Sequence, residues 1–148
     1  MLFRSLSPRM FVLGLRTRVG TRSMRRNAML SMIMPATYLR TVDRRVLAEE
    51  LSGLFGRDLA VQPPSVMKQL SAMAAYSAAG SLHQLAGVPT LVISAAHDPI
   101  APLRLGRALA EGIRGARFLE FAHAGHAAPI QCAREINELL LDHLACNK

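Results

Sequence analysis

Hydrophobic and polar positions along this chain change their rhythm twice. From Asp43 apolar residues recur at helical spacing: Val46, Leu47, Leu51, Leu54 and Phe55 share one stripe, Asp43 stands where an N-cap belongs, and Gly56 closes the segment. After Pro63-Pro64 the spacing returns in Val66, Met67, Leu70, Met73 and Ala74, with Ser65 as N-cap and Gly80 as the stop. From Pro89 the pattern becomes continuous, and the run Leu91-Val92-Ile93 suits a parallel strand buried on both faces. Residues 102–111 then predict a helix with Leu105, Ala108 and Leu109 inward and Gly112 near its end. Arg117 to Phe121 predicts a second short strand. A last helix follows over Ala133 to Leu144, with Ile136, Leu139, Leu140 and Leu144 in line.

Three zones result: a basic, Arg- and Met-rich lead over 1–42, a helical segment over 43–86, and a β-α-β-α unit over 87–148. The expected class is α/β, with two strands joined by a helix in a right-handed crossover. A lone strand pair is marginal in water and leaves backbone edges without partners. The isolated chain is therefore expected to self-associate; a monodisperse, cooperatively melting monomer would contradict that.

With 51% hydrophobic and 19% charged residues, the 148-residue chain has the balance of one globular domain. Its net charge of +8 suggests a nucleic-acid partner only until it is mapped. Residues 1–42 hold eight arginines and no acid, whereas 43–148 hold ten bases and ten acids. No basic folded face with interleaved aromatics exists, so nucleic-acid binding is not expected. The acid-free opening has the composition of an organelle transit peptide; a start codon inside a longer reading frame is the reading preferred here. Its apolar run, Met10 to Leu13 and on through Gly14 to Leu15, falls far short of the roughly 18 residues of a membrane span. Cys132 and Cys146 show neither disulfide density nor metal spacing, which points to a reducing, cytoplasmic setting.

Two segments carry candidate chemistry. Val88-Pro-Thr-Leu-Val-Ile-Ser-Ala-Ala-His-Asp98-Pro and Phe121-Ala-His-Ala-Gly-His126 each run an apolar strand into a polar turn. A carboxylate that accepts the Nδ1 proton of a histidine fixes the tautomer in which Nε2 is free to take a proton from a serine. Asp98 by itself also fits an Asx turn ahead of Pro99, and His126 a loop histidine bonded to backbone. Each ending a strand, the two together favour a relay. Small residues around His126, namely Ala124, Gly125, Ala127 and Ala128, leave room for a substrate. His97, His123, His126 and Asp98 could be arranged as a metal site on paper, but they lack the helical His-Glu-x-x-His pattern, and no metal or cofactor is expected. Cys132 fits a buried structural thiol better than a nucleophile.

These segments resemble the C-terminal end of an α/β-hydrolase. In that family the acid follows the penultimate core strand and the histidine follows the last, in a loop reading Gly-x-Gly-His or a near variant. Asp98 and Ala124-Gly125-His126 take those positions, with Ala95-Ala96-His97-Asp98 standing for the family's Gly-x-x-Asp turn. The resemblance covers Asp43 to Leu144, and its specific part runs from Pro89 to Pro129. It implies a partial α/β-hydrolase fold, a helical lid segment followed by the end of a doubly wound parallel sheet. It also implies acyl transfer on a small apolar ester or amide, with His126 as base and then acid and Asp98 as its orienter. The methionines of the lid-like region fit an apolar substrate or an ordinary core. None of the ten serines lies in a G-x-S-x-G elbow, and no His-Gly-type oxyanion loop is present. The chain is thus expected to be inactive alone, its nucleophile encoded upstream or lost. The competing reading is a non-catalytic remnant or interaction protein that associates through its apolar sheet edge.

Overall fold

In the computed structural model, residues 8–146 are described, with side chains from residue 12 onward; residues 1–7 of the basic opening lie outside that range. The chain divides into two compact units, Met1–Ser77 and Ala78–Lys148.

The first unit is helical: α1 (Pro8–Arg16), α2 (Arg22–Ile33), a 3-10 turn at Tyr38–Arg40, α3 (Arg44–Leu54) and α4 (Val66–Ala75). Leu30 and Leu59 have no exposed surface, and Ile33, Met34, Leu39, Leu47 and Leu51 are buried as well. Helix α3 begins as its sequence requires, Asp43 accepting from the Arg45 and Val46 amides. It ends in a Schellman arrangement: Gly56 adopts φ +64°, its N–H reaches Gly53 O, and the Arg57 N–H reaches Ser52 O. One carboxylate ties the basic lead to the segment after α3. Asp58 accepts from Arg26 Nε (2.7 Å) and Nη2 (2.9 Å), pairs with Arg22, and receives the Ala60 N–H (2.9 Å). The Arg26 hydrogen bonds, then the Ala60 amide, outweigh desolvation and hold the Asp58 carboxyl well below the usual carboxylate range.

The second unit holds a 3-10 turn (Leu82–Leu85), β1 (Leu91–Ala95), α5 (Leu103–Glu111), β2 (Arg117–Phe121), α6 (Ala128–Gln131) and α7 (Ala133–Cys146). Strands β1 and β2 pair in parallel, with Leu91 opposite Arg117 and Ala95 opposite Phe121. The α/β class and the β-α-β-α order are those the sequence implied, and the sheet among the described residues has two strands. Its core joins Ala95, Phe121, Ala124, Ala128, Cys132 and Ile136, with Ile93 and Leu139 against them. Helix α5 lies so close to β1 that a Cβ on Gly106 would stand 1.8 Å from Ser94 Oγ. Only a glycine allows that approach without displacement.

Several expectations about inward faces are corrected. Val46, Leu54 and Phe55 are exposed, and the buried stripe of α3 is Leu47, Ala48 and Leu51. Helix α4 stops at Ala75, well before Gly80, because Tyr76 turns to extended backbone; Ser65 makes no side-chain cap, and no residue of α4 is buried. Leu109, Leu140 and Leu144 are also exposed. The periodicity identified these helices correctly, and within the second unit the two strands among the described residues leave part of the α5 and α7 stripes uncovered.

Candidate active site

The geometry of the site begins in the backbone. Beyond the strand ends, the Ala96 N–H donates to Phe121 O (3.0 Å) and the His97 N–H to Ala124 O (3.0 Å). The ladder thus continues past β1 and β2 and fastens the two following turns together. Asp98 leaves the first turn and His126 the second, and Asp98 Oδ2 lies 2.9 Å from His126 Nδ1.

The carboxylate is shared between two duties. Its Oδ1 accepts from the N–H groups of Ile100 (2.7 Å) and Ala101 (2.9 Å), forming an Asx turn in which Pro99 has no N–H to compete. The turn and the histidine contact, which the sequence posed as alternatives, fall on different oxygens of one carboxylate. Burial works to raise the Asp98 carboxyl, but the His126 hydrogen bond and the two amides prevail and leave it below its ordinary value. Its side chain is 10% exposed against 41% for His126, so the acid sits beneath the ring and the ring reaches the surface. With Nδ1 committed to Asp98, Nε2 of the neutral imidazole is the nitrogen left to exchange a proton.

Small residues and one amide side chain hold the histidine turn. Ala124 has no exposed surface and Gly125 is buried. Gln131 on α6 bridges the turn, its Oε1 accepting from the Gly125 N–H (3.2 Å) and its Nε2 donating to His123 O (3.1 Å). Sequence reasoning missed Gln131, since no spacing rule marks a side chain that folds back on a preceding loop.

A cavity of about 220 Å³ adjoins the pair, walled by Ile93, Ala95, Ala101, Pro129 and Ile136, with Ser94, Asp98 and His126 as its polar side chains. Complete small-molecule sites run to roughly 300–1,000 Å³, so this is a small, mostly apolar recess. Ser94 lies inside β1 with its hydroxyl against Gly106, in no turn of the elbow type.

Of the other histidines, His97 is exposed and contributes its backbone to the ladder. The Nε2 of His123 lies 3.6 Å from Cys132 Sγ. Cys132 is buried as expected, and burial, with Glu135 adding, pushes its thiol up. His123, Cys132 and Glu135 place one ligand atom each within 4.8 Å of the others, a grouping different from the one weighed in the sequence.

Comparison with known proteins places the fold. The sequence model of a family of α/β-hydrolases, described as TAP-like protein, matches residues 66–145. The chain belongs to the α/β-hydrolase family. This α/β-hydrolase chain is 25% identical over 115 residues to a candidate carbamate hydrolase, RutD, of Stutzerimonas stutzeri, covering 76% of this chain and 41% of that protein. It superimposes on the enol-lactonase from Burkholderia xenovorans LB400 with a TM-score of 0.67 and 24% identity, over 91% of this chain and 49% of that one. With Rv0554 from Mycobacterium tuberculosis the TM-score is 0.73 at 22% identity, over 95% and 52% of the two chains. At such identities the solved structures share the fold. The chain spans about two fifths to one half of the length of these relatives. Among the described residues no helix is long and apolar enough to cross a membrane.

Proposed function

We propose that this chain supplies the acid and the histidine of a serine-type acyl-transfer relay, and that the serine and the oxyanion donors come from residues outside this sequence. The observation that carries the reading is the 2.9 Å contact between His126 Nδ1 and Asp98 Oδ2, with Oδ1 independently tied to two amides. In this reading Nε2 of His126 takes the serine proton as Oγ attacks an ester or amide carbonyl. Asp98 then stabilises the imidazolium, and the proton passes to the leaving alcohol or amine. Water resolves the acyl-enzyme by the same base. The apolar walls of the recess favour a small apolar ester or amide, and its size, under that of a complete pocket, fits a site that other strands would finish. The helical segment 43–86 takes the part of the lid.

The absence of a G-x-S-x-G elbow in the 148 residues directs the test. The coding sequence upstream of Met1 is read in frame, and the extended polypeptide is assayed on short p-nitrophenyl esters. The expected result is an in-frame strand and elbow, with hydrolysis that His126→Ala lowers by about 10⁴-fold or more. Hydrolysis unaffected by His126→Ala, or an upstream frame without an elbow, would overturn the proposal. The second outcome would favour a non-catalytic protein that associates through its sheet edge, a reading supported by a sheet of only two strands among the described residues.

A further inference from the structure

The geometry points to a second site, beside the histidine turn: we propose that His123, Cys132 and Glu135 bind a divalent cation of the zinc class. The three approach from two directions. Cys132 closes α6 and opens α7, its carbonyl accepting the Ile136 N–H (3.0 Å), so Glu135 follows it by about one helical turn on the same side. His123 arrives from the turn after β2.

Distances fit the chemistry. A tetrahedral zinc at about 2.3 Å from sulfur and 2.0–2.1 Å from an imidazole nitrogen holds those two atoms about 3.6 Å apart. Cys132 Sγ and His123 Nε2 are 3.6 Å apart. A Glu135 carboxylate oxygen lies within 4.8 Å of both, and the exposed side chain closes the remainder by rotation. The site is braced before any ion enters. The His123 ring stands edge-on to Phe121 at 6.4 Å between centroids, and its carbonyl is held by Gln131, the residue next to Cys132. Such outer contacts fix the orientation of metal-ligating groups.

The donor set decides the class of ion. Thiolate with imidazole and one carboxylate selects zinc, cobalt, nickel or copper over magnesium and calcium, which prefer all-oxygen shells. Binding replaces the thiol proton, which leaves to solvent, and the fourth position stays open to water. Because His123 precedes His126 by three residues in one turn, an ion here stiffens the segment that carries the relay histidine. This inference does not depend on the acyl-transfer reading, and its test makes no use of activity.

The experiment titrates the purified, reduced full chain with Co²⁺ and follows the thiolate-to-cobalt charge-transfer absorption, then displaces it with Zn²⁺. One equivalent of cobalt, a charge-transfer band and its loss on adding zinc are expected. Cys132→Ser should abolish the band, while His123→Ala and Glu135→Gln, both at exposed positions, should each weaken cobalt binding by about tenfold or more with the circular dichroism spectrum unchanged. Cys146→Ser and His97→Ala should leave it unchanged. Absence of the band, a band that survives Cys132→Ser or vanishes with Cys146→Ser, or an affinity unmoved by both His123→Ala and Glu135→Gln would overturn the proposal.

Discussion

Replacing Asp98 in two ways separates its duties. Asp98→Ala removes the acceptor of the Ile100 and Ala101 amides and the partner of His126 at one stroke. Hydrogen bonds to a charged group contribute about 1.5–3 kcal/mol each, with exposed ones at the low end because water replaces the lost acceptor. The Ala101 contact is exposed and the Ile100 contact half-buried, so the expected loss of unfolding free energy is about 2–4 kcal/mol. Asp98→Asn keeps a carbonyl oxygen for both amides and loses only their charge assistance, a cost of about 1 kcal/mol. Its NH₂ group, however, can only donate to His126 Nδ1. The imidazole must then carry its proton on Nε2, the tautomer that cannot accept one from a serine.

Two measurements on the purified chain check this. Urea unfolding followed by circular dichroism ranks the variants, and nitrogen-15 NMR reads which ring nitrogen of neutral His126 is protonated. The sign of the pH dependence follows from the lowered Asp98 carboxyl. Its stabilising contribution is present above the ordinary value of 3.8 and is lost as pH falls through the lower value of the folded state. The gap between the native chain and Asp98→Asn should therefore close in acid. Equal stabilities for Asp98→Ala and Asp98→Asn, or an Asp98→Asn chain whose His126 still carries its proton on Nδ1, would refute the shared-carboxylate account.

Gly106→Ala sets a helix-propensity gain of about 1 kcal/mol against a Cβ 1.8 Å from Ser94 Oγ, a clash of the kind that costs about 1–3 kcal/mol, so a net destabilisation is expected. Adding Ser94→Ala should recover most of it in a denaturation cycle. Leu30→Ala and Leu59→Ala, at positions without exposed surface, should cost about 2–5 kcal/mol, while Leu54→Ala should stay within about 0.5 kcal/mol; equal effects in urea unfolding would count against the described core. Asp58→Asn should lower the thermal midpoint at neutral pH, and the deficit should persist at pH 4, because Arg26 and the Ala60 amide keep that carboxylate ionised into stronger acid.

What could be read from the sequence was whatever depends on neighbours close along the chain. Asp43 caps α3 because its carboxylate meets amides two and three residues on, and Leu91 to Ile93 form a strand because an unbroken apolar run has few other uses. Asp98 and His126 were legible for a related reason, each sitting just past a strand whose position the pattern had already set. Which side of a helix would be covered was not legible, since that depends on what packs across from it. Val46, Leu109 and Leu144 lie on stripes as regular as those of Leu47 and Ile136, yet they stay in solvent. The same limit hid Gly106, whose need for a missing side chain arises from a strand twelve residues earlier, and Gln131, whose amide serves a loop rather than its own helix. It also hid the meeting of His123 with Cys132 and Glu135. The sequence set His123 beside His126 only in a paper grouping with His97 and Asp98, and the turn carries the two rings to different partners. One faces the acid that follows β1, the other a thiol at the junction of α6 and α7. Proximity along the chain decided which residues would share that turn, and the path of the backbone through it decided which partner each ring would meet.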